Sequence, residues 1–342
     1  MNDAPADAKV PSVPVKPAEA PSLEALRACA DDIAPYIVRT PVHRLETPEV
    51  HLRLPGHTLW LKLELLQRTG SFKARGAIAE MRALDAAARA RGVVAVSAGN
   101  HAMAVAYAAQ VVESHAKVVM PRNANPGRVR GAKALGAEVI LVDDVHAAFA
   151  EVRRIEADEG RTFIHPFEGP GIARGVGSLG LEIVEQIPDL TRVVLPIGGG
   201  GLAGGVAAAV KQAKPEVEVI GVEPFGADSM WRSRAAGRPE GIDKVRTIAD
   251  SLGAPHAEPY SFALCERYID ELLRVEDRDL VDAMRFLAAE AKLAVEPAGA
   301  ATTAALLGPL ADRPSRGATL ALVCGANIDP KSFAEYLLEG AE

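Results

Sequence analysis

The strongest constraint on this chain is a regular exchange between two kinds of segment. Short apolar runs stand at 59–66, 93–97, 116–120, 137–142, 162–165, 192–197, 217–222 and 319–324. Between most of them lie segments with apolar residues at helical spacing: 100–112, 125–135, 145–158, 173–187 and 202–213. Runs of four to eight residues read as buried strands, and the longer periodic segments as helices. A chain that alternates in this way places parallel strands in a sheet and covers both faces with the connecting helices. The expected class is α/β, with two doubly wound, mostly parallel sheets to account for 342 residues. The C-terminal third is more helical, at 229–236, 262–266, 278–292 and 298–307.

The two ends of the pattern read differently. Residues 1–21 hold Pro5, Pro11, Pro14, Pro17 and Pro21 among Ala, Asp and Lys, which predicts a disordered tail. Ser22 can cap a helix built on Leu23, Leu26, Ala30 and Ile33, and a strand is expected up to Leu45. The stretch 193–210 carries no charge and approaches the length of a membrane span. Its Pro196 and its glycines point instead to a buried strand, a tight turn and a small-residue helix. Aromatic residues make up 4% of the chain and the formal net charge is -7, which excludes a nucleic-acid surface. Cys29, Cys265 and Cys324 are widely spaced and form no CxxC pair, so they read as free thiols in a reducing, cytoplasmic compartment. No signal peptide is evident.

Three strand-to-helix turns carry unusual chemistry. In Gln67-Arg68-Thr69-Gly70-Ser71-Phe72-Lys73-Ala74-Arg75-Gly76-Ala77, the lysine lies just before or within the first turn of a helix marked by Ile78, Met81 and Leu84. Cations are favoured at the opposite helix end. A lysine here, beside Arg75, is expected to have a lowered pKa and an amine available as a nucleophile. Taken by itself, this context also fits an ordinary lysine with its ammonium in water. Gly198-Gly199-Gly200-Gly201-Leu202 follows an apolar run and opens a helix, an arrangement whose backbone N–H groups converge on an anion. The stretch 199–204 also fits a G-x-G-x-x-G dinucleotide pattern, with the acidic Glu223 at suitable distance, so a nicotinamide-dependent oxidoreductase stays open at this point. Ser97-Ala98-Gly99-Asn100-His101 forms the third turn and is good helix-capping chemistry.

Together the Ser-Phe-Lys with its Arg-Gly-Ala, the Ser-Ala-Gly-Asn-His and the four-glycine loop resemble the fold-type II pyridoxal-phosphate enzymes, in particular the threonine/serine dehydratases. The resemblance spans about residues 40–329. It implies a tryptophan synthase β-like fold, with a small substrate-gating domain at 86–168 inserted in a larger cofactor domain at 22–85 and 169–342. It implies that Lys73 carries the cofactor and then serves as the base. Phe72 would lie along the cofactor, Gly198, Gly199, Gly200, Gly201 and Leu202 would hold its phosphate, and Asn100 would contact its 3-oxygen. Cys324, at the end of the last strand, would meet the pyridine nitrogen; the Gly-Gly common after this position is Gly325-Ala326 here. Ser97, Ala98, Gly99, Asn100 and His101 would bind the substrate carboxylate, with His101 structural. Glu223 and Ala227 could hold a cation, monovalent or divalent, with Ser229 in place of a second carboxylate.

The expected activity is β-elimination of L-threonine, L-serine or a related 3-hydroxy amino acid, by a homodimer or homotetramer with no nucleic-acid or membrane partner. The chain ends at Glu342, soon after the Cys324 strand. This suggests a catabolic-type enzyme without a C-terminal regulatory domain. A racemase or β-replacement synthase of the same fold, and a silent amino-acid-binding module, are the alternatives.

Overall fold

The computed structural model describes residues 19–97, 99–122 and 124–338. The tail expected at 1–21 therefore falls almost entirely outside the described residues, as does Ala98. Among the described residues ten strands form two sheets. β1 (Val42–Arg44), β2 (Thr58–Leu63), β7 (Leu190–Pro196), β8 (Glu218–Pro224), β9 (Glu271–Val275) and β10 (Ala318–Val323) make the larger one, ordered β1-β2-β10-β7-β8-β9. β3 (Val93–Val96), β4 (Ala116–Pro121), β5 (Glu138–Val142) and β6 (Thr162–Phe163) make the smaller, ordered β5-β4-β3-β6. Every pairing is parallel except β1 with β2. The fold class expected from the alternation is the one observed.

Both sheets are covered on two faces, which explains their apolar sequences. In β3, Val93 and Ala95 face one cluster, with the helices Lys73–Arg82 and Asn100–Val111. Val94 and Val96 face the other, with Ala148, Val152 and Ile155 of the helix Val145–Glu159. This is the two-residue period of a strand buried on both sides. β10 lies between β2 and β7 and is buried along its whole length. The uncharged stretch at 193–210 resolves into most of β7, a glycine turn and part of the helix Gly201–Ala213. Among the described residues no helix is long and apolar enough to cross a membrane.

Four elements escaped the periodicity reading: the short helices Pro48–Arg53 and Ala86–Arg91, the helix Pro330–Leu338, and β9. β9 is an edge strand paired only with β8. Its Glu271-Leu272-Leu273-Arg274-Val275 has no room to show a period between two helices.

Behind the lysine helix lies a buried ionic cluster. Arg75 donates from Nε to Glu64 Oε2 at 2.8 Å and from Nη1 to Glu182 Oε1 at 2.8 Å. Lys62 donates to Glu182 Oε2 at 2.6 Å and to the Thr40 carbonyl at 2.7 Å. Burial works to raise the Glu64 carboxyl, but the Arg75 guanidinium overrides it and holds the group below its ordinary range. The cluster joins β2 to the helices Lys73–Arg82 and Pro170–Gln186, and so sets where the lysine helix begins.

Candidate active site

Four loops leave the carboxyl ends of their strands and converge on one cavity of about 240 Å³, the usual place for a ligand in open α/β sheets. Lys73, Ser97, the turn 198–201 and Cys324 follow β2, β3, β7 and β10 respectively, and all line it. Phe72, Gly99, Asn100, His101 and Leu202 line it too. Glu223, Ala227 and Ser229 are not among its walls.

Lys73 is the first residue of its helix. Two consecutive left-handed residues, Thr69 (φ 67°) and Gly70 (φ 72°), turn the chain into it. The turn is fastened to the segment after β10: Phe72 N–H donates to the Cys324 carbonyl at 3.2 Å, and Ala326 N–H to the Gly70 carbonyl at 3.0 Å. The amine and the thiol are thereby carried on one rigid unit. The Lys73 amine donates to the Pro166 carbonyl at 2.5 Å. Burial pushes its pKa down to about 8, against the pull of Cys324 and Glu296 in the other direction. The lowered pKa agrees with the sequence expectation, but its cause does not. Arg75 points away into the buried cluster, and loss of water is what weakens the ammonium.

In the glycine turn, Gly200 has φ +90° and precedes the helix Gly201–Ala213. A Cβ on Gly199 would lie 2.3 Å from the Phe167 ring, so no side chain fits there. The glycine turn and the start of a buried helix both line the cavity, an arrangement that suits a phosphate.

Cys324 is 2% exposed; burial raises its thiol, which stays neutral, and Sγ contacts the Ala298 carbonyl at 3.4 Å. Ser97 Oγ accepts from Gly99 N–H at 3.0 Å, closing the third turn. Asn100 is held at both ends of its amide: Nδ2 donates to Glu296 Oε1 at 2.6 Å, and Oδ1 accepts from Asn327 Nδ2 at 2.7 Å. His101 is buried against the Ile164 carbonyl at 2.8 Å, and burial together with the Lys73 charge lowers its pKa to about 3. That environment matches a structural histidine.

Glu223 is neither a solvated carboxylate nor a ribose contact. It is fully buried and caps the helix Ser229–Ala236, accepting from Met230 N–H at 2.8 Å and Trp231 N–H at 2.7 Å. Burial pushes its pKa up to about 8, against those two N–H groups. Glu223 does not line the cavity that the glycine turn lines, so the oxidoreductase alternative loses its acidic residue. Among the described residues no group of three or more His, Cys, Asp or Glu side chains could hold a metal ion. Cys29, Cys265 and Cys324 are all free thiols, as expected.

The sequence reading missed several wall residues: Phe167, His256, Asp250, Arg128 and Glu296. Glu296 is fully buried, and burial raises its carboxyl, against the pull of Arg128. None of these belongs to a local motif. Two of them, Asp250 and His256, share one segment, 249–260, and the other three come from separate parts of the chain.

Comparison with known proteins agrees with this geometry. The family described as pyridoxal-phosphate dependent enzyme matches residues 33–325. The chain is 47% identical over 317 residues to phenylserine dehydratase of Ralstonia pickettii, covering 93% of this chain and 96% of the relative. It is 41% identical over 303 residues to L-threonine ammonia-lyase of Thermotoga maritima, covering 87% and 75%. Maize serine racemase superposes with a TM-score of 0.87 at 33% identity, over 94% of this chain and 98% of that one. The buried amine, the glycine turn at a helix start and the neutral thiol suit the aldehyde, phosphate and pyridine nitrogen of the cofactor. The chain belongs to the fold-type II family of pyridoxal-phosphate-dependent enzymes, among lyases and racemases of amino acids.

Proposed function

We propose that this protein is a β-eliminating ammonia-lyase that converts L-threonine, L-serine or a related 3-hydroxy amino acid, 3-phenylserine included, to a 2-oxo acid and ammonia. The observation that carries the reading is the Lys73 amine, lowered to about 8 by burial and fastened through its turn to the neutral Cys324 thiol. The phenylserine dehydratase and the L-threonine ammonia-lyase to which the chain is similar bear names of this activity.

When bound, pyridoxal phosphate supplies the aldehyde and electron-withdrawing ring that acidify the α-C–H of an amino acid. The chain does the rest. Lys73 would hold the cofactor, and its Nζ, free of a proton for part of the time near neutral pH, would be the base for the α-proton. N–H groups of 198–202 would hold the cofactor's phosphate and Phe72 would lie along its ring. Ser97 and the backbone of 98–101 orient the substrate carboxylate. Asn100, its amide fixed by Glu296 and Asn327, would contact the cofactor's 3-oxygen. The Cys324 thiol would meet the pyridine nitrogen without the negative charge a carboxylate would bring, so it would leave that nitrogen unprotonated.

Residues 86–168 act in this proposal as the gating unit, and a homodimer or homotetramer as the working form. A cation beside Glu223 and Ala227 also belongs to it; the support is Ser229 Oγ, which is buried without a hydrogen-bond partner. Racemisation is the second reading, favoured by the likeness to maize serine racemase. Against it stands the identity of residue 98, an alanine, which has no group able to donate or accept a proton.

The test is release of 2-oxo acid from L-threonine, L-serine and L-threo-3-phenylserine, with loss of the visible cofactor band on borohydride treatment. D-isomer formation without 2-oxo acid from any of the three would refute the lyase reading.

A further inference from the structure

The cavity contains a cation to which the scheme above gives no part. Arg128, on the helix Pro126–Ala134 beside the smaller sheet, is 8% exposed and is the only guanidinium among the described residues lining the cavity. It reaches across to segments of the larger sheet. Nε donates to the Asn327 carbonyl at 3.0 Å, Nη1 and Nη2 both grip the Asp250 carboxylate, and Nη2 also meets Glu296 Oε2 at 3.3 Å. The guanidinium lies against the third turn: a Cβ built on Gly99 would be 3.1 Å from Nη1. Its charge therefore sits against the turn that would receive the substrate carboxylate.

The guanidinium already faces two carboxylates, so its charge is engaged before another carboxylate enters. Glu296 cannot yield, because its side chain is 1% exposed and bonded to Asn100 at 2.6 Å. Asp250 can, because its side chain is 57% exposed. Its two-oxygen grip on Arg128 is also the geometry that an α-carboxylate could reproduce.

We propose that Arg128 is a substrate-recognition residue, and that the α-carboxylate of the incoming amino acid engages it by displacing Asp250. The proposal rests on placing the substrate carboxylate at 97–101. Asp250 is then a placeholder: it keeps the guanidinium oriented between substrates and lowers the affinity for carboxylate ligands.

The test is equilibrium binding to the cofactor-loaded enzyme, read from the change in visible absorbance as the ligand displaces Lys73. L-alanine has no β-leaving group, and L-alaninamide presents the same amine without the carboxylate charge. Arg128→Met should raise the Kd of L-alanine about 30-fold, as expected for truncating one member of a buried charge pair, and leave that of L-alaninamide within about twofold. Arg128→Lys should lie between, since the charge stays and the fork is lost. Asp250→Asn should tighten L-alanine by about threefold or more and leave L-alaninamide unchanged. If Arg128→Met does not fold, Asp250→Asn decides, because it removes the competitor and keeps the guanidinium. Equal weakening of both ligands by Arg128→Met, or no tightening of L-alanine by Asp250→Asn, overturns the proposal. Failure of the parent protein to release 2-oxo acid would sink the lyase reading and leave this comparison intact.

Discussion

Replacing Lys73 by methionine should stabilise the cofactor-free protein at neutral pH, because the folded state bears the cost of a buried ammonium. Burial lowers the amine from 10.5 to about 8. That difference corresponds to about 3 kcal/mol, at roughly 1.4 kcal/mol per pKa unit. Below pH 8 the amine is charged in both folded and unfolded chains, and the full cost applies. Between about 8 and 10.5 the folded chain has released its proton while the unfolded chain keeps it. Unfolding then takes up a proton, so the parent gains stability as pH rises through this window. Methionine has no such titration. The lost bond to the Pro166 carbonyl takes back about 1 kcal/mol at every pH. The variant should therefore be about 2 kcal/mol more stable near pH 7, with nearly all of that advantage gone near pH 9.5. Urea denaturation of both apoproteins at the two pH values measures this directly, and other titrating groups cancel in the difference. An advantage that does not change with pH, or a variant less stable than the parent near pH 7, would refute the account of Lys73.

Arg75→Met should cost about 3–5 kcal/mol in denaturant unfolding, because it leaves the fully buried Glu64 without its partner. Cys324→Ala should reduce keto-acid release without abolishing it, whereas Cys324→Asp should shift the visible cofactor spectrum by favouring a protonated pyridine nitrogen; if neither variant alters spectrum or turnover, Cys324 is only a packed thiol. Ala98→Ser should open measurable racemisation of serine, followed by chiral chromatography, while the parent forms negligible D-serine; comparable D-serine and pyruvate from the parent would count against elimination as the main reaction.

What could be read from the sequence is what depends on near neighbours along the chain. A parallel strand buried on both faces must be apolar throughout, as in the fully buried Val93–Val96 and Ala318–Val323, so the alternation identified the α/β class. Backbone turns at strand ends need particular residues, so Lys73, Ser97–His101 and Gly198–Leu202 stood out, and a resemblance to one family joined them. Other features needed the tertiary structure. The lysine pKa was expected to fall because of a helix end and a neighbouring arginine; it falls because the folded chain removes water from the amine, while that arginine turns to Glu64 and Glu182. Glu223 could be read as solvated until the fold buried it as the cap of a helix. Arg128 sits in a helix with Arg130 and Lys133, indistinguishable in sequence from a basic solvated face. Its partners Asp250, Glu296 and Asn327 come from segments more than a hundred residues away. Periodicity and turn chemistry report which face of an element is buried. They carry no information on which distant side chains meet there, because that depends on the packing of one sheet against the other.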